Sequence, residues 1–360
     1  MQLASAQLTP RIIAAFYRNR VLRVSLTIFV FAFVYALAAL SRIEDSVPQI
    51  AQWVAVYSSV ASIGAFLYMI DHVGKALRPI SILTQVGSAG QEVIRDVYPR
   101  PIAGAEDAAT NVALAPGREP SGVIVGRRTG VVLAFDVAGL ADLARRANCL
   151  IELVPQVGDF VTSGGALFRI YGGGQAITDR QLEHAVAIGP ERTMEQDPEF
   201  AFRIIVDIAS KALSPAINDP TTAVLALDQL HRLLGEVGRR QLDAGRLHDA
   251  AGELRLAYRT PDWEDFVSLA VTEIRQFGKD SIQIARRMRA MLENLIETMP
   301  PHRAAQLRAE LELLSRGVER DFRDPEDRIR AASGDSLGMG GTPQRIASQS
   351  LSRGLERNHG

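Results

Sequence analysis

The chain has 360 residues, with 40 Lys plus Arg against 41 Asp plus Glu and a formal net charge of −1. That length suits two or three domains, and so balanced a charge excludes the strong positive field on which nucleic-acid binding depends. The single cysteine, Cys149, excludes an intramolecular disulfide and argues against a cysteine-built zinc site.

Residues 1–20 are amphipathic after Pro10 and predict a membrane-proximal segment. Residues 21–72 predict two transmembrane helices. Between Arg23 and Arg42 lies the uncharged run V-S-L-T-I-F-V-F-A-F-V-Y-A-L-A-A-L-S. At about 1.5 Å per residue it spans roughly 27 Å, close to the hydrocarbon thickness of a bilayer. A second uncharged run, Gln49 to Ile70, begins with Trp53 and Tyr57 and ends with Tyr68 and Met69, as suits two interfaces. Arg11, Arg18, Arg20 and Arg23 precede the first run, and His72, Lys75 and Arg78 follow the second. The loop between them, R-I-E-D-S-V-P, is short and acidic. The excess of cations on the outer flanks predicts that both flanks, and so the C-terminal part, lie in the cytoplasm. Ala55, Ser58, Ser59, Ser62 and Ala65 predict a helix–helix contact along the second span.

Residues 73–120 predict a linker helix, kinked or restarted at Pro79, and then a Pro- and Gly-rich loop. Residues 121–178 alternate β-branched runs with glycine turns and predict a small β module. Within it V-G-D-F-V-T-S-G-G-A-L-F-R-I resembles the hammerhead turn of biotinyl and lipoyl carrier domains. Gly158, Asp159, Val161, Gly164 and Leu167 carry the match. No lysine occurs from 76 to 210, so the resemblance implies a barrel-sandwich architecture without a swinging arm. Arg127, Arg128 and Arg169 form either a solvated strand face or a basic face for an anion or a lipid headgroup.

Residues 190–325 predict a helical bundle, and residues 326–360 a disordered tail. Asp197 caps one helix, with Pro198 in its first turn and Glu199 near the positive end of the dipole. Ser214-Pro215 stops that helix, and Asn218-Asp219-Pro220 restarts the next. The fold class expected is therefore a membrane α-helical hairpin plus an α+β part. The candidate ligand site comprises Arg192, Thr193, Gln196, Asp197, Ser214, Asn218, Asp219, Thr221 and Thr222. Two readings stay open for the 214–223 turn. Its polar groups either satisfy orphan N–H groups or form a site for an anion or a hard cation.

The six histidines have no metal-ligand spacing, and H-E-x-x-H, G-x-S-x-G and Walker A patterns are absent. No catalytic residue, cofactor or metal is predicted.

The order of features resembles a bacterial family of predicted membrane proteins, domain of unknown function 2254. A-S-A-Q-L-T-P-R-I-I-A-A-F at 4–16, V-G-D-F-V at 157–161, R-T-M-E-Q-D-P at 192–198, S-P-A-I-N-D-P-T-T-A at 214–223 and I-R-Q-F-G at 274–278 carry the resemblance. It implies an integral inner-membrane protein, and family members look longer at the N-terminus. The function expected is a membrane protein with a cytosolic sensing or scaffolding module. A channel or transporter component gated by that module, and a membrane-bound enzyme with its site at the 192–222 loops, are the alternatives. Expected partners are membrane lipid and further copies of the chain as a homo-oligomer, with no nucleic acid.

Overall fold

The computed structural model describes residues 20–41, 49–76, 78–102, 119–173, 177–242 and 245–336. The amphipathic segment expected at 1–20 lies outside them except for Arg20, and so does most of the loop expected at 100–120. The chain divides into two compact units, Met1–Gln85 and Val86–Gly360.

The first unit holds α1 (Arg20–Leu40) and α2 (Gln49–Ala76), which pack against each other as an antiparallel pair. Ser25 donates its hydroxyl to the carbonyl of Ala65, Tyr35 donates to that of Ala51, and Phe29 meets Phe66 edge to face. Ser62 is buried and Ala51, Ala55, Ser58 and Ala65 are half-buried, so small residues at a spacing of three and four form the seam. Ser59, expected on that side, is exposed and returns its hydroxyl to Ala55 within its own helix. The segments Val21–Leu40 and Gln49–His72 are long and apolar enough to cross a membrane. Their outer faces expose Phe31, Phe33, Val34, Leu37, Val60, Ile63 and Leu67. A soluble core helix would bury such residues, whereas lipid accepts them without penalty.

A third helix, α3 (Pro79–Val97), starts at the proline, which has no N–H to offer the preceding turn. The second unit then builds two sheets. One has five strands, in the order β1 (Gly122–Val125), β5 (Ala166–Gly172), β3 (Cys149–Leu153), β8 (Leu254–Tyr258), β7 (Arg246–His248). The other has three: β4 (Phe160–Val161), β2 (Gly130–Phe135), β6 (Val186–Gly189). All pairings are antiparallel except β3 with β8. Two short helices, α4 (Val137–Arg146) and α5 (Asp179–His184), complete the layer, capped by Asp136 and Thr178. Val132, Leu140, Ile151, Leu153, Phe168, Leu182 and Leu256 share one core, drawn from both sheets and both helices. The stretch V-G-D-F-V-T-S-G-G-A-L-F-R-I crosses from the small sheet to the large one through a turn at Gly164, whose φ is +87°. Val161 and Leu167 both reach the shared core.

The rest is helical: α6 (Pro198–Ala212), α7 (Pro220–Val237), α8 (Trp263–Phe277), α9 (Ile282–Thr298), α10 (Pro301–Asp321) and α11 (Pro325–Ala331). Helix α6 packs on α7 and α8, α9 on α7 and α10. The expectation of helix throughout 190–325 is corrected at 246–258, where β7 and β8 return to the large sheet. L-R-L-A-Y is only five residues long, and its strand identity comes from pairing with β3, far away in sequence. The expectation of disorder from 326 is corrected too. Asp324 and Pro325 start α11, and Asp335 lies 3.8 Å from the buried Arg286. Residues 337–360 lie outside the described part.

Candidate functional site

The R-T-M-E-Q-D-P stretch leads from β6 into α6, and three of its side chains tie that entry down. Asp197 is almost fully buried and accepts from the N–H of Phe200, capping α6. Arg192 closes on the same carboxylate with two parallel bonds, one from Nη2 at 2.8 Å and one from Nε. Its guanidinium also lies over the Phe200 ring, 5.6 Å from the centroid. Gln196 reaches sideways and accepts from the N–H of Phe135 at the end of β2. Thr193 has a buried hydroxyl with no hydrogen-bond partner among the described residues.

The V-G-D-F-V stretch meets this clasp. Gly158 has φ +95°, and a Cβ there would lie 2.5 Å from the Arg192 Cζ, so the glycine is demanded by both backbone and space. Asp159 accepts from the N–H of Gln156 at 2.9 Å and lies 3.7 Å from Arg259. Two motifs that sequence reading treated apart are therefore one structural unit.

Beside the clasp opens a cleft of about 360 Å³. Tyr98, Phe135, Val137, Val157, Tyr258 and Pro261 supply its apolar lining. Its polar lining includes Asp96, Gln156, Glu195, Gln196, Glu199 and Arg259. Glu199 is the unusual group. Gln156 donates to it at 3.3 Å, and Arg192, already committed to Asp197, approaches at 3.5 Å. Burial pushes the Glu199 carboxyl up to about 7; Arg192 pulls it back, while Asp197 and Asp265 add to the rise. Burial also raises Asp265, in the first turn of α8.

An acid raised in this way holds its proton in the native chain after the unfolded chain has released it. Native stability from this group is therefore greatest below the usual carboxylate range of about 4.5 and is lost as pH rises towards about 7. The expected result is that Glu199→Gln removes this loss, so the variant gains on the wild type between about pH 5 and pH 8. Thermal unfolding at both pH values checks it; parallel pH profiles would refute it.

The S-P-A-I-N-D-P-T-T-A stretch lies elsewhere. It follows the C-terminus of α6, and the 15 residues of that helix separate it from Asp197 by roughly 22 Å. Its polar groups are occupied locally. Asp219 caps α7, accepting from the Thr222 N–H at 3.1 Å and the Thr222 hydroxyl at 2.6 Å. Ser214 donates its hydroxyl to the Lys211 carbonyl at 2.7 Å. Asn218 has φ +48°, a left-handed conformation that asparagine tolerates better than most residues. Thr221 is exposed. Of the nine candidate residues, the structure thus brings together Arg192, Gln196 and Asp197, with Thr193 in the same segment. Ser214, Asn218, Asp219, Thr221 and Thr222 form a separate turn. Asp219→Ala is expected to destabilise by about 1 kcal/mol, the value of a helix cap. Urea unfolding of the full chain in detergent measures it.

Gln156, Glu199, Tyr258 and Arg259 were not among the candidates. Glu199 carried a local signal, an acid in a first helical turn, but its burial depends on partners distant in sequence. The three arginines considered as a basic face are paired instead. Arg127 lies 3.1 Å from Glu183, Arg128 donates to the Ile188 carbonyl at 2.7 Å, and Arg169 lies 3.3 Å from Glu152.

Two candidate membrane spans are thus followed by a mixed α/β part that holds the cleft. The chain belongs to the family of predicted membrane proteins DUF2254, which matches residues 1–294. It is similar to an uncharacterized protein of Mycobacterium bovis and to one of Mycobacterium tuberculosis. Each is 28% identical over 344 residues, in an alignment covering 91% of this chain and 65% of the relative. The chain thus spans just under two-thirds of the length of these curated relatives. No solved structure matches it.

Proposed function

We propose that this is a multi-pass protein of the bacterial inner membrane whose cytoplasmic part senses a small molecule bound in the cleft beside Glu199. The observation that carries the reading is the cleft itself. Residues from five distant stretches, near positions 97, 136, 156, 197 and 259, converge on about 360 Å³ of space, within the range of small-molecule sites. The excess of arginine and lysine on the outer flanks of the spans supports a cytoplasmic C-terminal part. The likeness of 157–170 to a hammerhead turn belongs to the same proposal, supported by the glycine turn at Gly164 and the inward Val161 and Leu167. So do membrane lipid and further copies of the chain as partners, which the apolar outer faces of α1 and α2 support. The small-residue seam of α2 is taken up by α1, so that seam gives no support to a pore.

Two experiments test this. Fused at the C-terminus, green fluorescent protein is expected to fluoresce and alkaline phosphatase to stay inactive; the reverse would place the cleft on the other side. A metabolite screen by thermal shift, on the full chain in detergent, is expected to yield ligands whose stabilisation is lost in Tyr258→Ala. Ligands that stabilise that variant equally would remove the cleft from the proposal.

A further inference from the structure

The lining of the cleft also constrains what it would hold, a step that rests on its being a ligand site. It carries four carboxylates, Asp96, Glu195, Asp197 and Glu199, against one cation, Arg259. Both nearby arginines are engaged: Arg192 closes on Asp197, and Arg259 lies 3.7 Å from Asp159. Tyr98, Phe135 and Tyr258 are almost fully buried, and Phe135 meets Tyr258 edge to face at 4.9 Å. They form a largely apolar wall of low polarity, beside which an under-compensated carboxylate is unfavourable unless a proton or a cation reaches it. The space is far larger than a bare ion needs. Among the described residues, no three His, Cys, Asp or Glu side chains group to hold a metal.

We propose that the cleft binds a small organic cation, an amine or a guanidinium, with Glu199 as its counter-charge and the aromatic wall against its apolar body. Gln156 and Thr260 stand in the same lining as polar groups able to orient it. Binding then expels a proton near neutral pH, because a cation beside Glu199 stabilises its ionised form. The groups that face Glu199 are Gln156 and Arg192 from the loops before α6, Asp197 at the start of its own helix, and Asp265 from α8. With Asp96, Glu195 and Arg259 in the lining, these complete the charged surroundings.

Isothermal titration calorimetry of the full chain in detergent tests this with three probes of one size, benzylamine, benzyl alcohol and benzoate. Each is run in two buffers of different ionisation enthalpy. Benzylamine is expected to bind at least about tenfold more tightly than the other two, and Glu199→Gln to lose at least about tenfold of that affinity. The two buffers are expected to show proton release for the wild type and none for the variant. If the variant does not fold, the wild type alone decides. Its benzylamine affinity is expected to rise between about pH 6 and pH 8, and a flat profile would overturn the proposal. Equal binding of benzyl alcohol or benzoate, or full benzylamine affinity in Glu199→Gln, would overturn the cation while leaving the cleft a ligand site. No binding of any probe, together with a metabolite screen that finds no cleft ligand, would overturn both readings.

Discussion

Asp197→Ala is expected to destabilise the second unit by about 3 kcal/mol, as two losses fall on one atom group. The first is the cap of α6, because the Phe200 N–H loses its acceptor. The second is larger. Arg192 keeps its position under Phe200 and against Gly158 but loses the carboxylate that holds both of its bonds. Only about a quarter of its side chain is exposed, so water replaces that partner poorly. Asp197→Asn keeps an acceptor for the cap and loses the charge, and is expected to fall between wild type and alanine. Replacing the pair together, as Arg192→Met with Asp197→Ala, is expected to recover part of the loss, since no arginine is then left half-buried without its carboxylate. Urea unfolding in detergent, followed through Trp263, reads all three. A double variant no better than Asp197→Ala alone would show that the cap, and not the ion pair, dominates.

Phe266→Ala is expected to be the most damaging single truncation, at about 4 kcal/mol. Phe266 is fully buried on α8 and meets the Tyr98 ring edge to face at 6.3 Å and the Phe202 ring at 5.2 Å. Its removal leaves a cavity between Tyr98, just past the end of α3, and helices α6 and α8, and forfeits two aromatic contacts beyond the buried area. Tyr98 also lines the cleft, so the effect reaches the site. Thermal unfolding checks the stability. Ligand-induced stabilisation checks the cleft, which is expected to weaken in Phe266→Ala even well below its melting point. Phe266→Leu fills most of the space and is expected to lose less than half as much. An alanine variant within about 1 kcal/mol of wild type would mean that the core collapses around the gap.

Legibility in the sequence followed the range of the interaction. The spans could be read because an uninterrupted apolar run is a local signal, and both Asp-Pro helix starts could be read because a cap needs only the next three residues. Asp197 and Asp219 accordingly cap the helices expected of them. The turn at 214–223 looked like a site because it concentrates polar residues. Its Asn218 answers a left-handed backbone, and its Thr222 answers Asp219. The cleft was illegible for the opposite reason. Asp96, Gln156, Glu199 and Tyr258 are unremarkable in their own segments, and their chemistry comes from being brought together. Strand β8 was illegible because five residues between helices carry too short an alternation, and its partner lies across the whole α6–α7 hairpin.

That pairing has a consequence for how the chain is made. Strand β3 waits for β8 across about a hundred residues, so its free edge stays open while the intervening helices are synthesised. A nascent chain that has passed β5 but not yet β8 pairs the wholly buried strand C-L-I-E-L on one side only, and its other edge is an aggregation hazard until the partner arrives. A ribosome-stalled fragment ending before Leu254 is expected to be bound by holdase chaperones, and one extended past Tyr258 to be released. The two candidate spans precede β3 in the chain and so leave the ribosome before that interval begins.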